Sequence, residues 1–326
     1  MNFDLDQEHR DLAAAAAEFL SSSASQASAR AALDDRSAGI KPGRAELVKS
    51  GFATITIPES AGGGGGSVLH LAVVAEQAGR VLAGPSPAGF ARAAVLLAGD
   101  PERLAGLADG SLAVAVADDT GPVLDAIGAD TFLALHDGAL TCGPGQVTAR
   151  EPIDATRSLG DVTLGGNPTV VRDAAALWQR AERVGRTILA AESLGTAARI
   201  LEIGVAYAKD RHAFGRPIGS YQAIKHMLVD VYVAVEQLRS LVWWAAWAAD
   251  HSPAELPLAA AAAKAAAATT LEQAAETVIQ VHGGIGFTWE HDAHLYWRRA
   301  KVDRFLLGDD IAAFDEVARL AMEQAA

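Results

Sequence analysis

Two short segments combine residue types that bind anions. Residues 211–226 read RHAFGRPIGSYQAIKH and carry two arginines, a lysine and two histidines. An arginine can hold a pyrophosphate through two parallel charge-assisted hydrogen bonds. Residues 280–287 read QVHGGIGF, in which three closely spaced glycines can expose backbone N–H groups as an anion-binding nest. Each segment also has a structural explanation: a surface ion pair for Arg211, and a helix C-cap followed by a turn for the glycines.

Taken together, the two segments resemble the signature of the acyl-CoA dehydrogenases, a family of flavoproteins. The matching residues are Arg-x-x-Phe-Gly-x-Pro-Ile-Gly-x-Tyr-Gln-x-x-Lys-His from Arg211 and Gln-Val-His-Gly-Gly-Ile-Gly-Phe from Gln280. The resemblance implies that they grip the adenosine-diphosphate half of FAD, and that they do so across a subunit boundary. The cofactor-binding residues it implies are Arg211, Phe214, Gln222, Gln280, Gly283 and Gly284.

The reaction of this family removes a proton next to a thioester carbonyl while a hydride leaves for the flavin, so the protein must supply a carboxylate base. The resemblance places that base at one of two positions, which are Leu307 and Gly185 in this chain. Neither residue can accept a proton. Glu182, one helical turn before Gly185, is a substitute, and Glu192 and Asp309 are others. Otherwise these carboxylates are expected to be exposed on helices or, for Asp309, to cap one, so the base is left open.

Long helices must position these residues. Apolar periodicity predicts helices at residues 173–210, 221–250, 257–281 and 311–326, and their short connections indicate an antiparallel bundle. From residue 111, short apolar runs separated by Gly, Asp and Pro predict a small antiparallel β domain. The predicted fold is mainly α with a small β domain. It comprises an N-terminal helical domain (1–108), a reduced β domain (109–172) and a C-terminal four-helix bundle (173–326) that carries both motifs.

A glycine run near the N-terminus offers a second candidate for phosphate binding. Residues 52–57 alternate apolar and polar and predict a strand, which Gly62–Gly66 and a further helix follow. Nucleotide-binding units begin in the same way. However, Ser67 follows the glycines of this run and no lysine does, so neither the dinucleotide fingerprint nor the P-loop is complete. A simple turn and a phosphate cradle are the two alternatives.

The composition excludes several classes of function. The net charge of −13 argues against nucleic acid as an electrostatic partner. Cys142 is the only cysteine, so the chain can form neither an internal disulfide nor a cysteine-based metal site. His291 and His294 lack a third ligand at a fitting spacing, and no metal is expected. Neither a signal peptide nor a membrane span is recognisable, which predicts a cytoplasmic protein.

Some short members of the resembled family work as two unlike chains in a heterotetramer, including members that act on sterol side-chain thioesters. One chain carries the base and the other completes the flavin site. The reduced β domain, which lacks the family's Thr-Glu-Pro segment, and the missing base make this chain similar to the second kind. We therefore expect a flavoprotein subunit that completes an FAD site for a related catalytic partner.

The resemblance also implies an acyl-CoA thioester as substrate, a separate electron acceptor, and assembly as a homo-oligomer or heterotetramer. Two alternatives stay open. The first is a self-sufficient acyl-CoA dehydrogenase with a displaced base such as Glu182. The second is a scaffolding homologue that has lost flavin.

Overall fold

The computed structural model describes residues 5–23, 26–36, 39–118, 121–166 and 168–325, so the two ends of the predicted domains, at residues 1–4 and 326, lie outside it. The helices are α1 (Gln7–Ser23), α2 (Gln26–Asp34), α3 (Arg44–Lys49), α4 (Val68–Arg80), α5 (Pro87–Leu96), α6 (Pro101–Asp109), α7 (Ala175–Asp210), α8 (Gln222–His251), α9 (Leu256–His282), α10 (Ala293–Asp303) and α11 (Asp310–Ala325). The strands are β1 (Val114–Ala117), β2 (Val123–Leu124), β3 (Thr131–His136), β4 (Ala139–Gly143), β5 (Gly145–Arg150), β6 (Leu159–Leu164), β7 (Thr169–Val171), β8 (His212–Ala213) and β9 (Arg216–Pro217). The predicted fold class, mainly α with a small β region, is confirmed.

The C-terminal bundle is built from the four predicted helices, which are α7, α8, α9 and α11. The structure adds α10, an eleven-residue helix that the sequence analysis did not separate from its surroundings. Alanines line the buried face of α9, and small side chains let neighbouring helices approach closely. In the part of the chain that the structure describes, no helix combines the length and the apolar character needed to cross a membrane.

The N-terminal helices share a core with the bundle. Leu71 and Ala75 of α4 belong to the same buried cluster as Leu194 and Ala198 of α7. Glycines let the two helices touch at their crossing: a Cβ on Gly195 would overlap the backbone of α4. The core therefore crosses the boundary predicted at residue 172, and we keep the three-domain division as a proposal.

The β region forms two small sheets between α6 and α7. One sheet has the strand order β1-β3-β4-β7 and the other β2-β6-β5. All pairs in these sheets are antiparallel, as predicted, except β1 and β3, which run parallel. The parallel pair is possible because the chain leaves the first sheet to form β2 before it returns as β3.

The strand predicted at residues 52–57 is wrong, since this segment forms consecutive turns. The glycine run folds back over it, and all five N–H groups from Gly62 to Gly66 donate to carbonyl oxygens of residues 54–59. A Cβ on Gly63 would overlap the carbonyl of Ile57, so the close approach needs glycine. These N–H groups are used within the turn, which argues against a phosphate cradle here.

Buried ion pairs fix the β region onto the bundle. Arg157, between β5 and β6, donates two hydrogen bonds of 2.8 Å to Asp303 at the end of α10 and one of 3.2 Å to Glu192 on α7. Arg299 of α10 donates to Asp154 at 2.6 Å. All of these side chains are buried. Removing one partner of such a buried pair costs about 3–5 kcal/mol, so the cluster holds three parts of the chain in one arrangement.

Candidate functional site

The first motif folds into a two-residue hairpin between α7 and α8. β8 pairs with β9, and the two residues at the tip, Phe214 and Gly215, have φ angles of 53° and 79°. Two successive left-handed residues define a type I′ turn, which normally contains Asn-Gly. Here a phenylalanine adopts the left-handed conformation while its side chain is 98% exposed. The strained backbone of Phe214 is therefore not offset by packing of its ring within the described residues.

The backbone of Arg211 is hydrogen-bonded at the start of the hairpin, whereas its side chain is exposed. Its N–H donates to the carbonyl of Tyr207 at 2.8 Å, and its carbonyl accepts from Ile218 N–H at 2.7 Å. Its side chain is exposed, and within the described residues its guanidinium has neither a hydrogen bond nor an ion pair. The neighbouring Arg216 instead stacks on Tyr221 at 4.0 Å. An unpaired guanidinium in a chain of net charge −13 fits an anionic ligand such as a pyrophosphate.

The second motif ends α9 and continues as a short 3-10 segment, Gly283–Phe287. Gly283 caps the helix, and its N–H donates to the carbonyls of Gln280 and Ile279, so the nest expected from three bare N–H groups loses one of them. Gly286 is buried against α9, where a Cβ would lie 2.7 Å from the carbonyl oxygen of Ile279. Gly284 is exposed, with open space where a Cβ would stand. Gly283 is also exposed with open space beside it, so two of the three glycines leave room for a ligand.

The two motifs lie at the same end of the bundle. α7 and α9 run in the same direction, because α8 returns between them. The ring of Tyr207, one turn before Arg211, stacks on that of His282, just before Gly283, with 4.1 Å between centroids. Gln222 is exposed at the first turn of α8, at this same end, and Gln280 is exposed in the last turn of α9. All six residues predicted to bind the cofactor are therefore grouped in one region of a single chain.

An open aromatic cavity of about 570 Å³ adjoins the second motif. Gln280, Phe287, Trp289 and Trp297 are among the residues that line it. Arg298 lies over the Trp289 ring at 5.1 Å. Phe287 and Trp289 are 79% and 64% exposed, so the end of the bundle that carries the predicted cofactor-binding residues also carries exposed aromatic rings.

A second cavity, of about 700 Å³, lies between the β region and the bundle. We call it the base cavity because the two family base positions meet beside it. Leu307 lines the cavity, and a Cβ built on Gly185 would lie 3.1 Å from the Leu307 side chain. The same Cβ would lie 2.6 Å from the Arg92 stem, so the space over Gly185 is already filled. No carboxylate stands at either position.

The substitute carboxylates are all engaged. Glu182 lines the base cavity but forms an ion pair of 2.7 Å with Arg186, which also pairs with Glu316 at 2.7 Å. Asp309 accepts from the N–H of Ala312 at 2.8 Å, which makes it the helix cap that was one of its expected roles. Glu192, expected on an exposed helix face if it is not the base, is instead 1% exposed. The ion cluster and the hydroxyl of Ser86 compensate the burial of this carboxylate.

Sequence reasoning missed Arg92 and Asp118. Arg92 lies on α5, is 3% exposed, and donates to Asp118 on the wall of the base cavity at 2.8 Å. The available signal was an arginine within an otherwise apolar helix, since a buried arginine requires a partner. Lys264, on the apolar helix α9, was also missed. Burial lowers the pKa of Lys264 to about 8, and its ammonium donates to the carbonyl of Asp303 at 2.8 Å.

Two family domains match the chain. The acyl-CoA dehydrogenase N-terminal domain matches residues 6–102, and the C-terminal domain matches residues 176–322. The chain is 37% identical over 264 residues to acyl-CoA dehydrogenase IpdE2 of Mycolicibacterium smegmatis, covering 79% of this chain and 80% of that protein.

Solved structures match over the whole chain. The ChsE4-ChsE5 complex from Mycobacterium tuberculosis superposes with a TM-score of 0.84 at 26% identity, over 100% of this chain and 99% of that chain. The Tcur3481-Tcur3483 steroid ACAD variant gives a TM-score of 0.83, also at 26% identity, over 98% and 99% of the two chains. The chain therefore belongs to the acyl-CoA dehydrogenase family.

Proposed function

We propose that this chain is the subunit of an FAD-dependent acyl-CoA dehydrogenase that completes the flavin site of a related, catalytic chain. One contrast carries the proposal: the end of the bundle presents an unpaired Arg211 with open glycines, while Leu307 and Gly185 occupy the base positions. The chain thus offers a surface suited to an anion at one place and no proton acceptor at the two base positions. Bound FAD would accept the hydride that leaves the acyl chain of the substrate.

The roles of the individual residues follow from their chemistry. Arg211 would pair with the pyrophosphate, and Gly284 would let the phosphates approach the backbone. Phe214 would cover the cofactor or the adjoining surface of the partner with its exposed ring. Gln222 and Gln280 would donate or accept hydrogen bonds with the adenosine half, and Gly283 would keep the turn open.

The partner chain would supply the proton-abstracting carboxylate. The ChsE4-ChsE5 complex supports this arrangement, because it is a solved member of the fold formed by two differently named chains. The steroid ACAD among the similar structures supports a bulky acyl-CoA thioester, such as one on a sterol side chain, as the substrate class. Electrons would then pass from the flavin to a separate acceptor.

The test is to isolate the tagged chain from its host together with any subunit that copurifies, and to add acyl-CoA without oxygen. We expect a yellow assembly whose flavin is bleached by substrate. Glu182→Gln in this chain should change turnover by less than about twofold, because the base lies on the partner. Turnover by this chain alone that Glu182→Gln abolishes would instead establish a self-sufficient enzyme. An assembly that stays colourless with added FAD would instead support a scaffolding homologue that has lost flavin.

A further inference from the structure

The segment that carries the glycine motif is held by α9 and by contacts between residues close in sequence. From Gly283 to Phe287 it has three glycines. The side chains of Phe287 and of Trp289, two positions later, are mostly exposed to solvent. On one side, Gly286 packs against α9. In residues 288–292, the N–H of Thr288 donates to the carbonyl of Ile285 at 3.0 Å, and the His291 ring lies 4.1 Å from the ring of His282.

Arg30 of α2 binds this segment from more than 250 positions away in the sequence. Its Nε donates to the carboxylate of Asp292 at 3.0 Å. Its terminal nitrogens donate to the same carboxylate and to the main-chain carbonyl of Trp289. One guanidinium thus fixes both the end of the glycine segment and the residue before α10. A planar guanidinium with several donors suits such a double contact, which a lysine cannot reproduce.

The helix that carries Arg30, α2, is anchored in the core. Its neighbours Ala29 and Ala32 on α2 are each 1% exposed and pack into the protein core. Arg30 binds the main-chain carbonyl of Trp289. The ring of the same residue contacts Arg298 and makes an edge contact with His294 at 5.1 Å. The segment is therefore clamped between the N-terminal helices and α10.

We infer that Arg30 is a positioning residue for the flavin. It holds residues 283–292 in the conformation that keeps Gly284 open to the dinucleotide, although it lies outside both motifs. The N-terminal helices thereby take part in cofactor binding. This inference rests on the proposed function, since it concerns the same ligand.

The test compares two arginines that join the N-terminal helices to the rest of the chain. Arg30→Gln removes the clamp. Arg80→Gln is the matched control, because Arg80 of α4 donates to Glu202 of α7 at 2.8 Å, on another part of the surface. The flavin is removed from each purified assembly, and the dissociation constant for FAD and the unfolding temperature are measured. We expect Arg30→Gln to weaken FAD binding about tenfold and Arg80→Gln to change it less than about twofold, with similar small shifts in unfolding temperature.

Two further variants separate positioning from general destabilisation. Asp292→Asn should weaken FAD binding in the same direction as Arg30→Gln, and Arg30→Lys should restore part of the affinity. Equal losses of affinity in Arg30→Gln and Arg80→Gln would overturn the inference, because they would show only a less stable fold. Unchanged affinity in Arg30→Gln would overturn it too. In that case Arg211→Ala decides the wider proposal: if it abolishes binding, the flavin site stands without the clamp.

Discussion

At the scale of single residues, Phe214 adopts a backbone conformation that costs stability. A left-handed conformation costs a residue other than glycine, asparagine or aspartate about 1–3 kcal/mol, and the ring gains nothing in return within the chain because it is 98% exposed. A residue chosen for the fold alone would be asparagine, which the type I′ turn favours.

We therefore predict opposite effects of Phe214→Asn on stability and on binding. The variant should raise the free energy of unfolding by about 0.5–1 kcal/mol, because asparagine adopts this turn more easily. FAD affinity in the assembly should fall, because the exposed ring is lost. Thermal unfolding and an FAD titration measure the two quantities. A variant that binds FAD as well as the parent would assign Phe214 to another role.

The glycines of the second motif allow a similar separation. Gly284→Ala adds a methyl group into open space, so stability should change by less than about 0.5 kcal/mol while FAD affinity falls, because the methyl group stands where the ligand approaches. Gly286→Ala places its Cβ 2.7 Å from the carbonyl oxygen of Ile279 and should cost about 1–3 kcal/mol of stability. Undiminished FAD affinity in Gly284→Ala would remove this glycine from the binding site.

Motif spacing identified residues that the fold groups at one end of the bundle, but it could not show what each group contacts. The N–H of Gly283 is used by the helix cap, and Glu182 is paired with Arg186. Both contacts are local, between residues three or four positions apart, so the sequence allowed them but did not decide between them and a ligand. Arg30 carries no local signal at all, because its partners lie more than 250 positions away.

At the scale of elements, the junction of the β region with the helices carries a buried charge that the fold tolerates poorly. Asp125, which follows β2, is 6% exposed and accepts from the N–H of Ser86 at 2.8 Å. Burial raises the pKa of Asp125 to about 6, although Arg44 and Arg157 act in the opposite direction. The folded protein thus binds this proton more tightly than the unfolded chain, in which the pKa is near 3.8.

The sign of the resulting pH dependence follows from linkage. Between about pH 4 and pH 6 the folded state holds more protons at Asp125 than the unfolded state, so this group lowers stability as the pH rises. Asp125→Asn removes that loss and can still accept the Ser86 N–H. Between pH 4.5 and pH 8, the free energy of unfolding of the variant should rise by on the order of 2 kcal/mol relative to the parent. Unfolding temperatures of both proteins, measured across this pH range, test the difference. Parallel curves for the two proteins would contradict this.

Secondary structure was predictable where one period continues over many residues. The four long helices of the bundle follow from apolar spacing alone, and all four are present. Residues 52–57 alternate over only six positions, and they form turns because no strand lies beside them and the glycine run folds back to take their carbonyls. The parallel pairing of β1 with β3 depends on the path of the chain between sheets, which strand composition does not encode.

At the scale of the whole molecule, the predicted cofactor-binding residues and the family's base positions lie in two different regions of the chain. The end of the bundle holds an unpaired cation, open glycines and exposed aromatic rings. The base cavity has a volume of about 700 Å³, but the carboxylates of Asp118, Glu182 and Asp309 that line it are bound to Arg92, Arg186 and a helix N-terminus. This division is what we expect of a subunit that lends its binding surface to another chain.

The most direct measurement is the FAD content and affinity of the complete assembly carrying Arg211→Ala, with Arg216→Ala as its matched control. Both variants remove one positive charge from the same hairpin, but Arg216 is occupied by Tyr221. We predict that Arg211→Ala weakens FAD binding about 10- to 100-fold while Arg216→Ala changes it about twofold at most. Full flavin retention in Arg211→Ala would contradict the account.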